Sequence, residues 1–191
     1  MILEVLYSSI IIVILGLSLI FVLQLILNIF LNIVTKLVTK LFGYKIAWLL
    51  LNVVPFVGTV HHELCHAILV VLSGAKLLHV QLFKISRYSL GKVTYTTRGN
   101  KLIQSLQNTL VSIAPTLFGA IHGTLILRFA YNNQGETWIK VLLVYLGISI
   151  LLHSRMSKQD IKTAKRGLLL SILVLTLIVF IIRLALGEIN I

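Results

Sequence analysis

Acidic side chains are scarce in this chain of 191 residues, with five Asp and Glu against 17 Lys and Arg. Cysteine occurs once, as Cys65, so no disulfide can staple the chain to itself. There are only two prolines, and no Gly/Ser-rich or other low-complexity stretch marks a linker. Charged residues are 12% of the total, about half the roughly 25% of a soluble domain. Hydrophobic residues reach 58% instead, and the mean hydropathy is +1.03. A soluble protein of this size has too little interior to hide so much apolar surface. A soluble enzyme, a disordered tail and a disulfide-framed secreted module are thereby excluded. An integral membrane protein remains.

The net charge of +12 would suit nucleic acid. The basic residues, however, lie in short clusters between apolar runs, with only Tyr88 and Tyr95 among the central group. Loops of that kind follow from the positive-inside bias, and no nucleic-acid partner is expected.

Five apolar runs divide the chain: Val5 to Val34, Ile46 to Ala75, Leu102 to Leu127, Thr137 to Ser154 and Gly167 to Gly187. Each suffices for a membrane helix, and no internal repeat relates them. The first run starts without a basic leader and is too long for a signal core, so no cleavable signal peptide is expected. Residues 76–101 carry six basic side chains and 155–166 carry five, whereas 131–136 carry none. Five spans put both basic segments on one side, the cytoplasm, with the N-terminus inside and the C-terminus outside. Lys36, Lys40 and Lys45 run against that rule and are outweighed. Within 76–101 the pattern turns to period two, predicting short strands at 79–84 and 91–97 around a turn at Arg87 to Gly91. The expected fold is an all-α polytopic membrane protein of about five transmembrane helices, with a β-hairpin between spans two and three. It forms one membrane domain over 1–191: an accessory first span in 1–45, a core over 46–170 containing the hairpin 76–101, and a last span in 167–191.

Chemistry concentrates in the second run. His62-Glu63-Leu64-Cys65-His66 is an H-E-x-x-H sequence. On a helix, His62 and His66 stand one turn apart on one face, so both imidazoles can reach a single Zn²⁺. Glu63, about 100° round the helix, is suited to hold a water on that metal and act as general base. Ionisable groups inside a span are costly, and three His with one Glu in six residues are hard to explain as packing. His61 and Cys65 form a competing pair on a neighbouring face, but a metal there leaves Glu63 without a role.

A catalytic zinc takes three protein ligands. Of the five acids, Glu4 and Glu188 are terminal and Glu136 lies in the outside loop, which leaves Asp160. Asp160 falls opposite Lys158, Lys162, Lys165 and Arg166 on a helical wheel, and Ser157 can cap the helix that starts there. One continuous helix from Thr137 would carry Asp160 about 35 Å along, beyond the hydrocarbon core, so the chain must bend at 153–157. His153 is the rival third ligand.

The third span aligns Asn108, Ser112, Pro115, Gly119, His122 and Gly123 near one stripe, which favours close helix packing. Asn108 and His122 are also candidates to contact a substrate carbonyl. In the first span, Gln24, Asn28 and Asn32 recur at every fourth position and suit interhelical hydrogen bonds.

The H-E-x-x-H in an apolar run, the Gly91-x-Val93 strand and Ser-Ile-Ala-Pro-Thr-Leu-Phe-Gly at 112–119 together resemble the site-2 protease family of intramembrane metalloproteases. The resemblance covers roughly residues 55 to 170 and suits a compact, divergent member. It implies a three-helix catalytic core, a zinc near the cytoplasmic face and cleavage of transmembrane protein or peptide substrates. It also implies a substrate-binding role for Gly91 and Val93 on the hairpin. The family's usual Leu-Asp-Gly motif is missing; Ser157-Lys158-Gln159-Asp160 stands in its place. No PDZ or CBS domain is expected, so control is expected to fall to the first span, the hairpin or a regulatory membrane partner. The expected function is therefore an intramembrane zinc metalloprotease of the cell membrane, embedded in the lipid bilayer. The rival reading is a non-catalytic membrane protein with a structural metal, or a metal-binding transport component.

Overall fold

The computed structural model describes residues 2–85 and 90–186. Helix α1 (Ile2–Trp48) is followed by a π-helical turn over Leu49–Val53, and α2 (Phe56–Leu72) follows Pro55. Strands β1 (Lys76–Gln81) and β2 (Lys92–Thr96) form an antiparallel pair. Helices α3 (Lys101–Asn132), α4 (Thr137–His153) and α5 (Lys158–Ala185) complete the chain. The described structure is 81% helical.

Three helical stretches are long and apolar enough to cross a membrane: Ile2–Val53, Lys101–Asn132 and Lys158–Ala185. Helices α2 and α4 have 17 residues each, about 25 Å of rise against a hydrocarbon core of about 30 Å. The second apolar run is therefore not one helix. Gly43, at φ 78°, kinks the end of α1, and the π-helical turn with Pro55 separates it from α2. The basic segment 155–166 is mostly helical, since α5 begins at Lys158.

Burial is inverted relative to a soluble protein. Ser9, Thr109, Thr116 and Ser171 are fully buried, while Leu15, Leu19, Leu169 and Ile181 are more than half exposed. Most of the buried polar groups find a partner inside. Ser171 Oγ donates to Ser105 O at 3.1 Å and to Thr109 Oγ1 at 2.8 Å, and Ser105 Oγ donates to Gly167 O at 2.5 Å. That seam draws α5 onto α3 so closely that a Cβ on Gly167 would lie 2.6 Å from Ser105 O. Further along α3, Gly119 meets Ser154, and Gly123 meets Gly147 and Leu151 of α4.

The hairpin starts sooner than period two suggests. Helix α2 stops at Gly74, at φ 77°, and β1 begins two residues later rather than at His79. A bulge between Leu77 and His79 puts two residues against one and interrupts the alternation that marks a strand. The register otherwise pairs Leu77 with Tyr95, Val80 with Val93 and Gln81 with Lys92. The turn expected at Arg87 to Gly91 falls largely on residues 86–89, outside the described residues, as does Gly187, the expected end of the last span. Buried Gln107 of α3 fixes the hairpin to the helices. Its Nε2 donates to Ser73 O at 2.9 Å, and its Oε1 accepts from Arg98 N at 2.9 Å.

Candidate metal centre

His62 and His66 project from one face of α2, with Nε2 atoms 3.1 Å apart. Their other ring nitrogens are committed. His62 Nδ1 lies 2.7 Å from His153 O, and His66 Nδ1 lies 2.8 Å from Val111 O. A carbonyl oxygen only accepts, so both Nδ1 atoms carry a proton, and in the neutral rings both Nε2 atoms present lone pairs. Asp160 faces the same point, its Oδ1 at 3.4 Å from His66 Nε2 and its Oδ2 at 3.8 Å from His62 Nε2. Three electron-pair donors thus converge within 4.8 Å of one another. Facing lone pairs repel unless a cation sits among them, so the residues fit a metal ion. The His62, His66 and Asp160 cluster can hold one, and its two ring-to-carbonyl bonds are the outer support typical of histidine ligands.

Asp160 reaches this point because the chain breaks between α4 and α5. Ser157 caps α5, its Oγ accepting from Asp160 N at 3.2 Å, while Asp160 Oδ2 accepts from Ser157 N at 2.8 Å. This reciprocal box fixes the carboxylate in the first turn of α5, where the helix dipole favours an anion. His153 behaves differently from the rival ligand envisaged in sequence. Its ring Nδ1 lies 3.1 Å from Ser149 O of its own helix, and only its backbone oxygen serves the centre, by holding His62.

Glu63 is buried and lines the same cleft as the three ligand side chains. Gly91 packs directly on it, and a Cβ there would overlap Glu63 Cγ and lie 2.8 Å from Oε1. The cleft measures about 930 Å³ and runs along β2, whose second edge pairs with no described strand. A smaller cavity of about 400 Å³ meets it at His62, Glu63 and Gly91 and extends to α1 and the π-helical turn.

The other expected residues separate by environment. Asn108 lines the cleft and accepts from Tyr95 Oη through Oδ1 at 3.2 Å. Val93 borders the cleft and also packs on Val70, Ala75 and Val111. His122 sits elsewhere, its Nδ1 2.9 Å from His61 Nε2, and Cys65 Sγ lies 3.6 Å from His61 Nδ1. His61 and Cys65 thus face α3 away from the Asp160 cluster. Tyr95 escaped sequence reasoning, being one aromatic in a strand. Burial and, secondarily, the Asp160 charge push its phenol up to about 12, so it stays a protonated donor at neutral pH.

The chain matches no protein-family model, no curated protein and no solved structure.

Proposed function

We propose that the chain is an intramembrane zinc metalloprotease that hydrolyses peptide bonds within or near transmembrane segments. One observation carries this reading: the convergence of His62, His66 and Asp160, with both Nδ1 protons already committed. The inverted burial supports a lipid-solvated protein. The eleven-to-zero basic count supports cytoplasmic basic segments and five spans, with α2 and α4 as short spans inside the bundle.

Zinc bound at this centre would polarise the peptide carbonyl and lower the pKa of a water towards about 7. Glu63 accepts the proton of the attacking water as its oxygen bonds to the carbonyl carbon. As the C–N bond breaks, Glu63 returns that proton to the leaving nitrogen. The open edge of β2 holds an extended segment by main-chain hydrogen bonds, which requires a helical substrate to unwind first. Asn108 and Tyr95 line the same cleft; with the Tyr95 hydroxyl donating to Asn108 Oδ1, the Asn108 Nδ2 is the donor available to an unwound backbone.

Two results are expected. A chelator that strips the purified protein abolishes cleavage of a membrane-spanning peptide, and one equivalent of Zn²⁺ per chain restores it. Cleavage that persists in metal-free protein contradicts the reading. Gly91→Ala retains zinc but cuts more slowly, by about 10²-fold, because its methyl group displaces Glu63 by the better part of an ångström. The comparison of metal content with initial cleavage rate checks this, and an unchanged rate rejects the Gly91 contact as functional.

A further inference from the structure

We infer that Gln24 of α1 is a positioning residue for Asp160. Its side chain is buried at 6% exposure, midway along α1. Oε1 accepts from Met156 N at 2.8 Å and from Thr116 Oγ1 of α3 at 3.2 Å, while Nε2 donates to Met156 O at 3.4 Å. Met156 lies in the short turn between α4 and α5, where no helix satisfies its backbone. Buried backbone groups are costly to leave unpaired, and one amide here pairs both. The Ser105–Ser171 seam joins helix to helix. The Gln24 contact joins a helix to the turn immediately before the Ser157 cap.

The path from Gln24 to the carboxylate is short. Met156 also packs its side chain with Val13 and Leu17 of α1 and Ile113 of α3. Ser157, the next residue, holds Asp160 through the reciprocal cap. Fixing Met156 therefore fixes the start of α5 and the direction of the carboxylate. The first helix, outside the region of family resemblance, completes the metal centre without touching it.

This inference rests on the metal reading, and a double-mutant cycle separates the two. Zn²⁺ affinity is measured by competition titration on the full chain in detergent for wild type, Gln24→Leu, Thr116→Val, Asp160→Asn and Gln24→Leu/Asp160→Asn. Gln24→Leu is expected to weaken zinc by about 10–100-fold, the usual effect of an outer support, and Thr116→Val by a smaller factor. In the Asp160→Asn background, Gln24→Leu should add nothing. Wild-type affinity in Gln24→Leu, or the same loss in both backgrounds, overturns the inference. Should Gln24→Leu not fold, Thr116→Val runs through the same cycle with the same criteria. Failure of the metal reading looks different: wild type itself binds no zinc, or Asp160→Asn binds as tightly as wild type.

Discussion

Glu63→Gln keeps its zinc and its fold yet hydrolyses peptide about 10²- to 10⁴-fold more slowly than wild type. Glutamine matches glutamate in size and helix propensity, so α2 and the Gly91 contact persist. Its amide cannot accept a proton at neutral pH, so neither proton transfer can proceed. The substrate cleft is untouched, and the variant should retain uncut peptide along β2. A single-turnover cleavage assay beside metal analysis checks both halves. Full activity with zinc bound would remove the general base and leave a structural metal as the better reading.

The second large effect distinguishes the two candidate third ligands. Asp160→Ala is expected to lose zinc more severely than the roughly 10–100-fold typical of an outer partner, because it removes a donor and the reciprocal cap of α5. His153→Ala should keep zinc. Alanine retains the backbone oxygen that holds His62 Nδ1 at 2.7 Å, and the lost ring is bonded to its own helix. Metal content after purification at equal zinc exposure decides the matter. Loss in His153→Ala with retention in Asp160→Ala would move the ligand to His153.

The parts of the centre that follow from local periodicity were legible in the sequence. His62 and His66 share a face because four residues make about one helical turn. Asp160 emerged because acids are rare, and Ser157 is recognisable as a cap. The bend at 153–157 followed from length alone, since one helix would overshoot the bilayer. Other contributions depend on approaches between distant segments, for which a single sequence carries no signal. Gln24 meets Met156 across 132 positions, and Gly91 meets Glu63 only once the hairpin folds back. His153 was identified by its ring, yet the atom that serves the centre is a backbone oxygen common to every residue. The start of β1 was hidden by its bulge, and the break before α2 by hydrophobicity that continues through the π-helical turn. The count of five spans rests on composition, whereas among the described residues three helical stretches have the length to cross unaided.

The shortness of α2 and α4 carries a consequence for the surrounding lipid. As the short spans proposed above, two adjacent helices of 17 residues, set among neighbours of 28 or more, would leave a hydrophobic mismatch of about 5 Å. A bilayer would relieve it by thinning beside them, at a fraction of a kcal/mol per ångström. Acyl-chain length then sets how much deformation accompanies an open cleft. On the proposed reading the membrane acts mechanically on the site, and a thicker bilayer would work against an open cleft.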